Sequence, residues 1–199
     1  MPRAHGATIP VYRAMASTGN ISLARNGLAA LEVLRRNVYS LTEEDLDVLA
    51  KWPGWGPLAP AFDPEPPSGW GEISEQLADL LDSEAYDDAK LCVDNSFYTP
   101  VPIARAMFEA LSFTGIGEQA TKSRVRALEP GCGSGVFMGA APEGWHIEWT
   151  GIEADKTSAA IASALHPGSR IVRARLEKTS LPADSFDLAI GNVPFSSPE

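Results

Sequence analysis

The stretch Leu128-Glu129-Pro130-Gly131-Cys132-Gly133-Ser134-Gly135-Val136-Phe137 constrains this chain more than any other. A short, mostly apolar run, residues 125–128, ends in a carboxylate and then in glycines at three alternate positions. Glycines so placed let the backbone turn sharply with positive φ and let a ligand approach main-chain N–H groups. This is how a strand passes into a helix in a nucleotide-binding sheet. Such a turn alone also serves any α/β domain, so the downstream sequence decides its meaning.

Downstream, residues 147–152 read as a second strand, ending in Gly151-Ile152-Glu153-Ala154-Asp155. Residues 156–165 form a short Ala-rich helical pattern. Residues 170–174 make a third strand and residues 186–190 a fourth, closing on Gly191-Asn192-Val193-Pro194-Phe195. Strands alternating with helices predict parallel βαβ units in an α/β, Rossmann-like sheet, of which the first four strands are visible.

Upstream the pattern is helical. Residues 1–20 lack periodicity and are expected to form a loose arm. From Ile21 to Arg36, Ala24, Leu28, Leu31 and Leu34 fall on one stripe. Thr42 followed by Asp45 supplies a capping oxygen and a first-turn carboxylate for a second helix, with Leu46 and Leu49 on its buried face. A Pro- and Gly-rich loop follows, holding Trp52, Trp55 and Phe62. These aromatics are expected to pin the loop onto a core, with a base-stacking surface as the alternative. Ile73, Leu77, Leu80 and Leu81 mark a third helix, and a fourth lies near residues 83–91. Thr99 is expected to cap a fifth helix with Pro100 at its first position, and Ile103, Met107 and Leu111 share one face of it. Residues 115–123 read as a polar loop. The domain reading is therefore an arm at 1–20, a helical region at 21–94 and an α/β region at 95–199.

Composition narrows the class. With 44% hydrophobic and 21% charged residues, the chain has the make-up of a globular protein. No apolar run approaches the roughly 20 residues that span a bilayer, and no secretory signal is visible, so a cytoplasmic protein without a membrane partner is expected. Cys92 and Cys132 stand apart, without the spacing of a zinc site, and no metal is expected. His5, His146 and His166 read as structural or surface residues. The net charge of -10 is uneven: between Thr42 and Lys90, thirteen acids face only two lysines. Such a segment repels a phosphate backbone, so a nucleic-acid role has to rest on a site and not on the overall field.

The site candidates converge by topology. Carboxyl ends of neighbouring parallel strands share one edge, which places Glu129, Glu153 and Asn192 together. Glu153 lies about twenty residues past the glycine turn, the spacing at which a carboxylate accepts from both hydroxyls of a ribose. Dinucleotides and S-adenosylmethionine both fit that pairing. The GxGxG spacing of the turn and the Glu129 carboxylate favour S-adenosylmethionine over NAD.

Phe97-Tyr98-Thr99-Pro100, the glycine stretch, residues 151–155 and Asn192-Val193-Pro194-Phe195 occur in the order seen in adenine-N6 DNA methyltransferases, which the chain resembles from about Ile21 onward. The chain also resembles the methyltransferase portion of large plasmid and phage helicase–methyltransferase proteins, through the Gly54-Trp55-Gly56 loop and Ala61-Phe62-Asp63. This resemblance implies that Tyr98, Thr99, Pro100 and Glu129 lie on the methionine side of S-adenosylmethionine. It implies that Gly131, Gly133 and Gly135 pass beside the cofactor, that Glu153 binds the ribose and that Glu177 holds the cofactor adenine. Asn192, Val193, Pro194 and Phe195 would hold and stack the flipped target base. Val193 and Phe195 depart from the commoner Asn-Pro-Pro-Tyr, keeping a carbonyl and a stacking face but losing a hydroxyl.

The resemblance also implies seven strands and a later DNA-recognition region, of which the chain shows four strands and none. A fragment is therefore expected, contacting DNA through a missing C-terminal region or a companion polypeptide that completes the sheet. Two alternatives stay open: a non-catalytic S-adenosylmethionine-binding remnant or interaction fragment, and a methyltransferase for a protein glutamine or an RNA amine.

Overall fold

The computed structural model describes residues 20–36, 40–93 and 98–193. They divide into two compact units, one ending at Tyr98 and one spanning Thr99–Val193. The expected arm at residues 1–20 lies almost wholly outside the described residues.

In the first unit, α1 (Ile21–Arg36) buries Ala24, Leu28 and Leu31 of the stripe its sequence spacing marks, and Leu34 is half-buried. Helix α2 (Glu43–Leu49) starts at Thr42, whose hydroxyl accepts from the Asp45 N–H while the Asp45 carboxylate accepts from the Thr42 N–H. This reciprocal capping box satisfies two donors that a helix start otherwise leaves open. The Trp/Pro/Gly loop then runs into a 3-10 turn over Gly56–Phe62. Its aromatics are core residues, as the packing alternative holds: Trp52, Trp55 and Phe62 are all buried. Trp52 meets Trp55 edge-on at 4.9 Å, and Phe62 lies 5.0 Å from Tyr86. Helix α3 (Gly71–Leu80) adds Ile73 and Leu77 to this core, and α4 (Ser83–Cys92) is capped by Asp82.

The second unit opens with α5 (Val101–Ser112), which starts one residue later than expected. Pro100 and not Thr99 holds the capping position, and no side chain caps the helix there. Its buried face is Val101, Ala104 and Phe108, whereas Ile103 and Met107 are exposed. The reason is Phe108, the largest side chain on the helix interior. Its ring sits 6.5 Å from Phe137, 5.8 Å from Trp145 and 6.4 Å from Trp149, so the helix turns that face inward. Residues 115–122, expected as a loop, form α6 (Gly115–Lys122). Two glycines hide a helical segment that Lys122 and Glu118 pair along, and Ala120 anchors it.

Strands β1 (Val125–Pro130), β2 (Ile147–Glu153), β3 (Arg170–Arg173) and β4 (Leu188–Ala189) form one parallel sheet in the order β3-β2-β1-β4. Helix α7 (Val136–Ala140) follows β1, and α8 (Lys156–Leu165) follows β2. The order reverses direction between β1 and β4, and such a switch point opens a crevice at the carboxyl ends of those strands. The α/β architecture with a helical N-terminal region is thus the one the sequence predicts. No helix among the described residues is long and apolar enough to cross a membrane.

Candidate cofactor site at the carboxyl edge of the sheet

The turn after β1 is built by glycine conformation. Gly131, Gly133 and Gly135 have φ of 62°, 55° and 85°, all in the left-handed region that a Cβ disfavours. The Cys132 N–H donates to the Ile152 carbonyl, which ties the turn to β2. Beneath it, Gly151 has no room for a side chain. A Cβ there would stand 2.6 Å from Met138 Cε and 2.8 Å from Cys132 Sγ.

Glu153 reaches back to this turn. One carboxylate oxygen accepts from the Gly133 N–H at 2.7 Å, and the other from the Asp155 N–H at 2.8 Å. Burial pushes its carboxyl above the ordinary range, against the opposing pull of those two N–H groups. Asp155 in turn caps α8 by accepting from Ser158 N–H at 2.7 Å. The ribose candidate is therefore held in place by the turn itself. Each oxygen keeps a second lone pair for another donor.

Glu129 occupies a different position from the other candidates. Residues alternate along β1, and Glu129 shares the inward face with Val125 and Ala127. It is only 2% exposed, and its two oxygens accept from Phe137 N–H at 3.3 Å and Met138 N–H at 3.2 Å. The carboxyl thus sits under the glycine turn, joining the end of β1 to the first turn of α7. Burial pushes it up to about 8, opposed by the two N–H groups and reinforced by nearby Glu153. Burial likewise raises the Cys132 thiol, so it packs as a small apolar residue and not as a nucleophile.

At the switch point, Gly191 lies against Pro130: a Cβ would stand 3.0 Å from the Pro130 carbonyl oxygen. Asn192 follows, half-buried, and Val193 is 45% exposed. Pro194 and Phe195 fall outside the described residues. Strand β4 is aligned by a forked pair, in which Arg126 donates from Nε at 3.1 Å and from Nη2 at 2.8 Å to Asp187. The Ile190 N–H then donates to Leu128, setting the height at which Asn192 leaves the sheet.

The structure brings together Gly131, Gly133, Gly135, Glu129, Glu153 and Asn192 at neighbouring strand ends. Glu177 is set apart from them by exposure: it sits in a 3-10 turn over Leu176–Lys178, facing Arg175 across 4.0 Å. Tyr98 and Thr99 precede α5, and both are half-buried. His166 is the residue that sequence reading passed over. Its ring covers Gly135, where a Cβ would stand 2.4 Å from Cδ2, and its Nε2 is buried without a hydrogen-bond partner among the described residues. Burial pulls its imidazole below the usual range. No sequence signal marks it, because only the end of α8 carries it to the turn. The cavity of about 460 Å³ lined by Arg105, Phe108, Glu109 and Trp145 contains none of the expected site residues.

Residues 128–193 match the family model described as a methyltransferase domain. Defense against restriction protein B of Escherichia phage P1 is 36% identical over 103 residues, which make up 51% of this chain and 4% of that protein. The methyltransferase subunit of a type I restriction-modification system from Streptococcus thermophilus superposes with a TM-score of 0.44 at 16% identity, over 92% of this chain and 46% of that one. The stretch that matches the family model, residues 128–193, holds the glycine turn and the carboxyl ends of all four strands.

Proposed function

We propose that the α/β unit is the S-adenosylmethionine-binding part of a DNA adenine-N6 methyltransferase. One observation carries the reading. Glu153, the glycine turn and Asn192 leave β2, β1 and β4 along a single edge, at the point where the strand order reverses. The donor set suits a cationic nucleoside. The Glu153 carboxyl at this edge is pushed up by burial, so an arriving cation offsets part of what burial costs it.

When bound, S-adenosylmethionine supplies an electrophilic methyl group on a sulfonium. Glu153 accepts from the ribose hydroxyls, its direction set by the Gly133 and Asp155 N–H groups. The turn through Gly131, Gly133 and Gly135 offers close backbone approach, and Tyr98, Thr99 and Pro100 lie on the methionine side. Glu129 supports the turn from below, and Glu177 is assigned to the cofactor adenine. The Asn192 side-chain oxygen and the Val193 carbonyl accept the two hydrogens of the target amine, which turns its lone pair toward the methyl group. Pro194 and Phe195 are assigned to the target side as well, with Phe195 stacking on a base taken out of the helix. DNA is the proposed partner.

Calorimetric titration of the full chain with S-adenosylmethionine tests the cofactor half. Wild type binds, and Glu153→Ala weakens binding at least tenfold. Absence of binding by the wild type refutes the reading. Radiolabelled methyl transfer tests the substrate half: any label transferred goes to adenine in DNA, whereas label in RNA or protein redirects the assignment to those amines.

A further inference from the structure

His166 and the glycine turn belong to the same unit, and the contact between them is close. A Cβ on Gly135 would stand 2.4 Å from His166 Cδ2 and 2.6 Å from Nε2, so that edge of the ring lies on the main chain in space that only glycine leaves open. The ring also has a fixed base. The His166 N–H donates to the Ala162 carbonyl at the end of α8, and its own carbonyl accepts from the Ser169 N–H. Space filling alone does not account for an imidazole here. Nε2 is buried without a hydrogen-bond partner among the described residues, a cost that an apolar side chain of similar size would avoid. Burial keeps the ring neutral at pH 7, opposed by main-chain groups of Ser134 and Gly135, which favour a proton on it. The nitrogen therefore faces the backbone of the turn, and a neutral imidazole still carries one N–H.

We infer that His166 is a positioning residue for the cofactor turn, holding Ser134 and Gly135 through the nitrogen-bearing edge of its ring. The inference rests on the proposed function, in which the turn passes beside S-adenosylmethionine. Other groups already fix the preceding part of the turn: the Cys132 N–H is bonded to the Ile152 carbonyl and the Gly133 N–H to the Glu153 carboxylate. Ser134, only 4% exposed, and Gly135 come next, and His166 is what lies against them. Gly133 and Gly135, at φ of 55° and 85°, have more conformations to lose than any other residue type. With the turn clamped at both ends, that ordering is completed before ligand arrives, so binding does not have to supply it. His166 does not touch the ligand in this account. It acts through Gly135.

The test uses the full chain and two readouts. His166→Gln keeps a side-chain nitrogen that can reach the turn, His166→Leu fills the space without one, and His166→Ala removes both. His166→Ala and His166→Leu are each expected to weaken S-adenosylmethionine binding about 5- to 10-fold, the range of one neutral polar contact, and His166→Gln less than about threefold. The second readout needs no cofactor. Amide exchange at Gly135 and Gly139, whose N–H groups bond to the Cys132 and Gly135 carbonyls, becomes faster in His166→Leu and returns toward wild type in His166→Gln, while β1 keeps its protection. The Leu and Gln pair decides the matter even where His166→Ala is too unstable to assay. Wild-type affinity in His166→Leu overturns the inference, and so does a loss in His166→Gln as large as that in His166→Leu. Exchange that quickens equally in β1 and the turn, or stays unchanged at Gly135, overturns it as well, since the ring would then serve the core alone. If wild type binds nothing but exchange at Gly135 still quickens in His166→Leu and recovers in His166→Gln, the cofactor reading fails and the positioning of the turn stands.

Discussion

Glu129→Gln separates two opposed influences on the carboxyl beneath the glycine turn. Burial at 2% exposure favours the neutral acid, whereas two N–H donors favour the carboxylate. Burial prevails, raising the group from 4.5 to about 8. Between those values the folded chain keeps a proton that the unfolded chain has lost. Stability from this group is therefore fully present below pH 4.5 and is lost as pH rises through 8. At about 1.4 kcal/mol per pH unit, the loss from pH 5 to pH 8 is about 4 kcal/mol. Glutamine cannot ionise and removes this slope. At pH 5 both side chains are neutral and offer one good acceptor to two donors, so the proteins should differ by no more than about 1 kcal/mol. By pH 8 the variant should be the more stable by about 4 kcal/mol. Equilibrium urea unfolding at pH 5, 6, 7 and 8 measures the difference, and subtracting the two curves cancels most other titrating groups. A variant destabilised by a constant amount of about 1–3 kcal/mol at every pH would show that the carboxylate stays ionised in the fold. The N–H donors would then outweigh burial, and the reasoning would be wrong.

Two further predictions concern the same edge. Gly135→Ala should cost about 2–4 kcal/mol in urea unfolding, combining left-handed backbone strain with the clash against His166. Adding His166→Ala should return only the steric part, leaving about 1–2 kcal/mol of strain. Asp187→Asn should release β4 from its forked pairing with Arg126, and faster amide exchange at Ile190 would report it. In the wild type, hydrogen bonds from Arg126 hold the Asp187 carboxyl down at about 2, so its contribution persists above pH 4 and fades as pH falls through 2. Ile190 exchange, corrected for its intrinsic pH dependence, should follow that acid limb in wild type and be flat in the variant.

Elements whose signal is local were legible from residue order. Helix α1 carries a long apolar stripe and was bounded to the residue, and Thr42 with Asp45 marked the start of α2 through a cap that needs only three residues. The glycine turn and the β2 end were equally plain, since positive φ and a carboxylate twenty residues on leave a compositional trace. Helix α6 was missed because Gly115 and Gly117 lower its intrinsic helicity, and burial of Ala120 with the Glu118–Lys122 pair overrides that. The inward face of α5 was missed for a related reason. Ile103, Met107 and Leu111 are as well spaced as Val101, Ala104 and Phe108, and only the ring cluster of Phe137, Trp145 and Trp149 chooses between them.

Residue order by itself determined the α/β class, the strand succession and the set of groups that reach the carboxyl edge. Spacing and glycine placement act over a few residues, and parallel topology does the rest. Tertiary structure decided what each group does there. Alternation along β1 turns Glu129 inward, although nothing in residues 128–137 distinguishes an inward carboxylate from one aimed at a ligand. The Gly133 N–H captures Glu153, the end of α8 brings His166 onto Gly135, and a distant loop seats Tyr98 on Gly54. Burial and long-range contact set these outcomes, because desolvation depends on the side chains that surround a group and not on its neighbours in the chain.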